Sequence, residues 1–170
     1  MNAPRSSLRI LSGSVVIMGA MLGHIAAQAQ SITTTQNLAF GAFIPTSGGT
    51  IVVSTAGARS ATGGVVLLTN TQFPAPAAAT FSVVNNAPRA KTFTVTLPAS
   101  ATLARTGGGG TMTVNAFTSN PIPGQGTGNK GFGTLTAGTA QILVGATLNV
   151  NSAQAVGNYA GTFAVTVAFP

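Results

Sequence analysis

Hydrophobic and polar residues alternate with a period of two along much of the chain. In the segment 92–97, Phe93, Val95 and Leu97 alternate with threonines, and residues 111–116 repeat the pattern. Such alternation buries one face of a strand and leaves the other face in water, as in antiparallel sheets. Beyond the N-terminal region, no segment has the apolar spacing of an amphipathic helix. The pattern therefore predicts an all-β protein.

Further strands are predicted where short apolar runs are bounded by Gly, Pro and Asn turn signals. They cover residues 36–43, 50–54, 62–69, 79–85, 139–150 and 158–169. About eight short strands, with a turn after roughly every ten residues, are typical of an antiparallel β-sandwich of the immunoglobulin-like type. A jelly roll or a small barrel is the alternative architecture.

The first 29 residues are predicted to be a secretory signal peptide. Two arginines precede an apolar stretch from Ile10 to Ala27, and residues 27–29 (Ala-Gln-Ala) form a small-residue cleavage site before Gln30. The alternative is a transmembrane anchor, but serines and glycines dilute the apolar stretch. We therefore expect an exported protein of the periplasm, cell surface or extracellular space. Residues 30–170 are expected to form a single β-sandwich domain without a membrane span.

The composition argues against catalysis. The chain contains no Asp, Glu or Cys, and its single histidine, His24, lies in the predicted leader. The mature chain would thus lack the usual general bases, thiol nucleophiles and metal ligands. A Ser–Lys pair built on Lys91 or Lys130 is conceivable, but no nucleophile motif accompanies either lysine. The protein is predicted not to be an enzyme, with no catalytic residues, no cofactor and no metal site.

The charge of the mature chain is entirely positive. Its cations are Arg59, Arg89, Lys91, Arg105 and Lys130. They are dispersed, whereas nucleic-acid binding needs a clustered basic stripe, so no nucleic-acid partner is expected. A positive chain without acidic groups attracts polyanions through its long-range field. Anionic envelope polymers are therefore a predicted class of partner.

A long loop is predicted from Pro121 to Gly133, where apolar periodicity is absent. Within it, Gly126–Gly131 matches the G-x-G-x-x-G phosphate-loop pattern, but that motif requires a strand before it and a helix after it. Prolines precede the segment and Phe132-Gly133-Thr134 follows it, so a flexible loop is predicted instead. Such a loop could carry the binding site of a solitary periplasmic or secreted module, which is the alternative function.

The last predicted strand carries the clearest functional signal. Its alternating inward positions, with the glycine that precedes it, form a candidate assembly strand: Gly157, Tyr159, Gly161, Phe163, Val165, Val167 and Phe169. Phe163, Val165 and Val167 are expected to face the core, and Thr162, Thr166 and Ala168 to face outward. The alternative is that this segment is simply the last core strand of a self-sufficient sandwich.

This strand resembles the terminal strand of chaperone-usher pilins. In pilins that strand pairs with a periplasmic assembly chaperone and flanks a groove, which a neighbouring subunit's N-terminal extension later fills. The resemblance implies a pilin-like form of the β-sandwich. It also implies protein partners, through self-assembly or through a chaperone, and contact by β-strand addition. Residues 30–36 are then the possible donor, although Ile32 is the one strongly apolar residue among them, and the cysteine pair of many pilins is missing.

From Gln36 to Phe169 the chain also resembles the bacterial domain-of-unknown-function 4402 family. The matching segments are 38–45 (LAFGAFIP), 61–65 (ATGGV), 111–117 (TMTVNAF), 144–150 (VGATLNV) and 157–167 (GNYAGTFAVTV). The resemblance implies a secreted β domain akin to adhesins and pilins, and it transfers no catalytic residues. The expected function is therefore that of a non-catalytic, exported structural or adhesin-like surface protein.

Overall fold

The computed structural model describes residues 30–69, 71–85, 92–120 and 130–169, and the described part consists of β-strands, turns and loops. The strands are β1 (Gln30–Gln36), β2 (Phe43–Val53), β3 (Arg59–Leu67), β4 (Ala79–Asn85), β5 (Thr92–Thr96), β6 (Ser100–Arg105), β7 (Thr111–Asn120), β8 (Lys130–Thr134), β9 (Thr139–Val150), β10 (Tyr159–Ala160) and β11 (Thr166–Ala168). All strand pairs in these ranges are antiparallel. The predicted all-β, antiparallel sandwich is confirmed.

The large sheet is built around β9. On one side β9 pairs with β7, which continues through β6 to β10. On the other side β9 changes partner along its length, because residues 139–144 pair with β4 and residues 146–150 pair with β2. Strand β1 pairs with the outer edge of β4, and β3 pairs with β2. This branching bends the large sheet around the core.

The small sheet has the order β11-β5-β8 and packs against the large sheet. Phe93 and Val95 point inward from β5 and are fully buried. They join one hydrophobic cluster with inward side chains of β9, such as Ile142 and Val144. The apolar side chains of the period-two pattern therefore form the core, as the sequence predicted, because alternate side chains of a strand point to opposite faces.

The strand predicted at residues 36–43 is wrong. Ala39 forms an isolated bridge with Ala77, and regular pairing of β2 begins only at Phe43. Gly41 lies between these points with a φ of 71°, in the left-handed region that interrupts an extended strand. The apolar pattern is real, since Phe40 is buried, but the backbone turns there.

The loop predicted from Pro121 to Gly133 needs a partial correction. Residues 130–134 form β8, which pairs with β5. Their sequence is rich in glycine and has no alternation that would indicate a strand. The strand could therefore not be predicted from these residues alone, and it forms through pairing with the distant β5. The remaining residues of that loop, 121–129, and the predicted leader, 1–29, lie outside the described residues. The described ranges contain no helix long and apolar enough to cross a membrane.

Candidate functional site

The C-terminal segment passes from one sheet to the other. Tyr159 and Ala160 form β10 and pair with β6 of the large sheet, whereas Thr166–Ala168 form β11 and pair with β5 of the small sheet. In the described structure, residues 161–165 between them belong to no strand. The continuous strand predicted at 158–169 is therefore wrong, because a segment that crosses between two sheets cannot keep one pairing partner.

Burial along this segment alternates as predicted. Phe163, Val165 and Val167 are partly buried and pack against the core cluster, as do Tyr159 and Phe169. Thr162, Thr166 and Ala168 are exposed. Each inward side chain is only half-buried, however, so this side of the sandwich is incompletely covered.

Three aromatic contacts, made by Phe163 and Phe169, fix the segment to the core. The Phe163 ring lies 5.0 Å from the Phe117 ring and 6.2 Å from the Phe81 ring, the latter in an edge-to-face arrangement. The Phe169 ring lies 5.9 Å from that of Phe93. Such pairs add to the stabilisation from buried area. The segment is thus anchored at Phe163 and again near its end.

Gly157 and Gly161 permit close approach to β6. Gly157 has a φ of 148°, and a Cβ on it would lie 2.6 Å from Nε of Arg105. A Cβ on Gly161 would collide with the carbonyl oxygen of Thr102 and lie 3.0 Å from Leu103. Gly161 is itself exposed, although the alternation predicted it to face inward. Both glycines of the candidate assembly strand therefore serve packing against β6.

Tyr159 and Arg105 hold the entry to the segment. The Tyr159 hydroxyl donates to the carbonyl oxygen of Ala155 at 2.6 Å and accepts from Nε2 of Gln154 at 2.6 Å. Arg105 donates from Nε to the carbonyl oxygen of Val156 at 2.7 Å. These bonds order residues 154–158, which lead into β10.

An open, mostly apolar groove of about 890 Å³ lies beside this segment. Residues 154–163 and 36–43 contribute much of its lining, together with core side chains of the large sheet. Two large apolar side chains that line it are also exposed, Phe73 at 44% and Val156 at 79%. Within the described residues, no charged side chain lines the groove. Its surface therefore suits a neutral, apolar occupant.

Arg59 fixes the other segment that lines the groove. Its guanidinium donates from Nη1 to the carbonyl oxygens of Phe40, at 2.9 Å, and Ala42, at 3.1 Å. Nη2 donates to the carbonyl oxygen of Leu68 at 2.8 Å. In a chain without carboxylates, main-chain carbonyls satisfy this half-buried cation. Gly41 is required here because a Cβ would lie 2.5 Å from Nη1 of Arg59.

Sequence reasoning found the C-terminal segment but missed the rest of the groove. Phe73 and Val156 lie in irregular segments without periodicity, so no pattern marked them. Arg59 was noted for its charge alone. The alternative binding loop is largely outside the described residues, as is most of the Gly126–Gly131 motif, so their roles remain predictions.

A carboxylate introduced on the inward face of the C-terminal segment should destabilise the protein more than one introduced on its outward face. Val165→Asp should lower the free energy of unfolding by about 2 kcal/mol, because an unpaired charge enters an apolar contact. Thr166→Asp, on the exposed face of β11, should cost about 0.5 kcal/mol or less. Urea denaturation of both variants measures the difference, and equal losses would reject the assigned faces.

Comparison with known proteins places the chain by its sequence. A family model described as a domain of unknown function, DUF4402, matches residues 31–169. Searches of curated proteins and of solved structures returned no match. The family match covers the described strands, except for Gln30 at the start of β1, and all residues that line the groove. The chain therefore belongs to the DUF4402 family of domains of unknown function.

Proposed function

We propose that this protein is a non-catalytic, exported structural or adhesin-like subunit of the bacterial cell surface that assembles by β-strand addition. The observation that carries the proposal is the apolar groove beside residues 161–165, which belong to no strand in the described structure. An extended segment of another protein would pair with this backbone and insert alternate side chains into the groove.

The chemistry of the groove favours a peptide over other occupants. A small polar ligand would need convergent charged or hydrogen-bonding side chains, whereas core side chains such as Phe81 and Leu148 form much of the lining. A stretch of backbone outside any strand, next to an apolar groove, offers both elements of β-strand recognition, main-chain hydrogen bonds and side-chain pockets. A neighbouring subunit and a periplasmic chaperone both present such a segment.

Two of the five cations expected in the mature chain are engaged within the domain. Arg59 and Arg105 donate to main-chain carbonyls of their own chain, which makes these two less available to an anionic polymer. The total lack of Asp, Glu and Cys supports a non-catalytic role. The predicted leader supports export, and we propose that assembly takes place in the periplasm or on the cell surface.

A charge placed in the groove tests the proposal. Val156→Lys should reduce the share of the exported chain found in high-mass surface assemblies at least tenfold, because a lysine disfavours an apolar occupant. The melting temperature of the monomer should be unchanged, since Val156 is 79% exposed. Val66→Lys is the matched control: Val66 is 51% exposed, lies on β3 and is not among the residues that line the groove. It should assemble like the unmodified chain.

Removing Phe169 and Pro170 provides a second variant, and we expect it to be exported but not incorporated into assemblies. Wild-type-like assembly of Val156→Lys would overturn the role of the groove. An unmodified chain that remains a stable monomer on the cell surface would overturn assembly altogether. That result would favour the alternative function, a solitary periplasmic or secreted binding module that uses loop 121–133.

A further inference from the structure

Strand β1 is attached to the domain almost entirely through its main chain. All seven of its side chains are exposed, including Ile32 at 43%. It pairs with β4 from Gln30↔Asn85 to Gln36↔Thr80. One side-chain hydrogen bond adds to this pairing, from Oγ1 of Thr35 to the carbonyl oxygen of Thr80 at 3.1 Å. The strand therefore contributes very little to the hydrophobic core.

Strand β4, in contrast, is part of the core and needs a partner on its outer edge. Its side chains alternate between buried and half-buried, and its inner edge pairs with β9. Without β1, the outer edge would present free main-chain donors and acceptors, which form a template for any added strand. The outer edge of β4 needs a strand that pairs with it in the correct register. That strand can belong to the same protein molecule or to a second copy of it.

The connection between β1 and the core is short. Residues 37 and 38 separate the end of β1 from Ala39, which bridges to Ala77 through two hydrogen bonds of 2.9 Å. Phe40 is buried just beyond. Leu38 also packs against the core, so the chain is fixed from Leu38 onward and the exposed Asn37 is the hinge. Short hinges next to an exchangeable element favour exchange between copies.

We propose that β1 of one copy pairs with β4 of a second copy. This exchange reproduces every main-chain hydrogen bond of the β1–β4 pair and exposes almost no additional apolar surface. The exchange rests on the proposed role in assembly. It adds that the partner of the β4 edge is a second copy of the chain.

The polar character of β1 suits it to the β4 edge and not to the interior of the groove. Apart from Ile32, β1 consists of Gln, Ser and Thr, which cannot fill an apolar groove of about 890 Å³. A strand with both faces in water suits an exposed sheet edge. Thr34 and Gln36 of β1 and Ala79 and Phe81 of β4 also border the groove, so the β4 edge and the groove are adjacent contact sites. We propose different occupants for them.

Disulfide trapping tests the exchange, because the chain has no cysteine of its own. Thr33 and Ser82 are register partners in the β1–β4 pair, and directly opposed strand residues lie within the Cα separation that a disulfide needs. One tagged chain carries Thr33→Cys, and a second chain with a different tag carries Ser82→Cys. The two are co-expressed and oxidised, and the disulfide-linked heterodimer is quantified.

We expect at least fivefold more heterodimer than in a control pair that combines Thr33→Cys with Thr102→Cys, an exposed position on β6. A single chain with both Thr33→Cys and Ser82→Cys checks that the disulfide can form. Quantitative closure within that chain, with heterodimer at the control level in the mixed pair, would overturn the proposal.

A third pair separates this inference from the proposed function. Cross-linking of Thr33→Cys to Thr162→Cys would place β1 in the groove of its neighbour and would overturn the assignment to β4. The Val156→Lys change, introduced into the Thr33→Cys and Ser82→Cys pair, should leave the yield of heterodimer unchanged. A yield that falls with Val156→Lys would mean that the exchange depends on the groove, contrary to the inference.

Discussion

Phe93→Ala should lower the free energy of unfolding by about 4 kcal/mol, a large part of the stability of a typical domain. Phe93 is fully buried at the centre of the small sheet, opposite Gly133 of β8. Its ring covers that glycine so closely that a Cβ on Gly133 would lie 2.8 Å from Cε1 of the ring. Truncation would leave a cavity, uncover the glycine and remove the aromatic partner of Phe169.

Phe73→Ala is the matched control for this substitution. Phe73 is 44% exposed, so its truncation should cost about 1 kcal/mol or less. Urea denaturation should show a lower midpoint for Phe93→Ala without a change in slope, since the fold is retained. Similar midpoints for the two variants would mean that the small sheet does not depend on the Phe93 ring.

Gly145→Ala should destabilise the protein by about 3 kcal/mol, because it places a methyl group where the large sheet branches. Gly145 lies in β9 between the residues that pair with β4 and those that pair with β2. A Cβ there would collide with the carbonyl oxygen of Val53 and lie 2.9 Å from the amide nitrogen of Thr55. These neighbours are backbone atoms and cannot rotate away.

Gly108→Ala separates this steric effect from the general cost of replacing a glycine. A Cβ on Gly108 would meet nothing within 4 Å, but its φ of 84° makes alanine unfavourable by about 1 kcal/mol. The Gly145→Ala variant should therefore have a lower melting temperature and a lower urea midpoint than the Gly108→Ala variant. The reverse order would show that β2 and β4 can move apart around Gly145 without loss of stability.

The sequence predicted those strands that have one buried, apolar face and one exposed, polar face. Period-two alternation identified β5, β7 and the inward face of the C-terminal segment, because one side of each lies on the core and the other in water. Strand β1 has both faces exposed, and the glycine-rich β8 has little side-chain pattern. Neither could be recognised as a paired strand, since backbone pairing with a distant partner leaves no mark on local composition.

The groove could be predicted only in part. The resemblance to pilins drew attention to the C-terminal segment and implied a groove beside it. The opposite lining, residues 36–43, looked like a strand, because a run of apolar residues does not reveal a turn. Its conformation depends on Arg59, which lies far away in sequence and binds the carbonyls of Phe40 and Ala42. Such a long-range hydrogen bond has no local sequence signal.

The hydrogen bonds from Arg59 and Arg105 to carbonyl oxygens have a consequence for acid tolerance. In most proteins acid weakens the fold because carboxylates that are paired in the native state become protonated. Main-chain carbonyls do not take up protons under the mildly acidic conditions that protonate carboxylates, and this chain contains no Asp or Glu. Apart from the chain termini and His24, the sequence contains no residue type whose ordinary pKa lies between about 4 and 8. We therefore expect mild acid to weaken this fold less than a fold that depends on paired carboxylates.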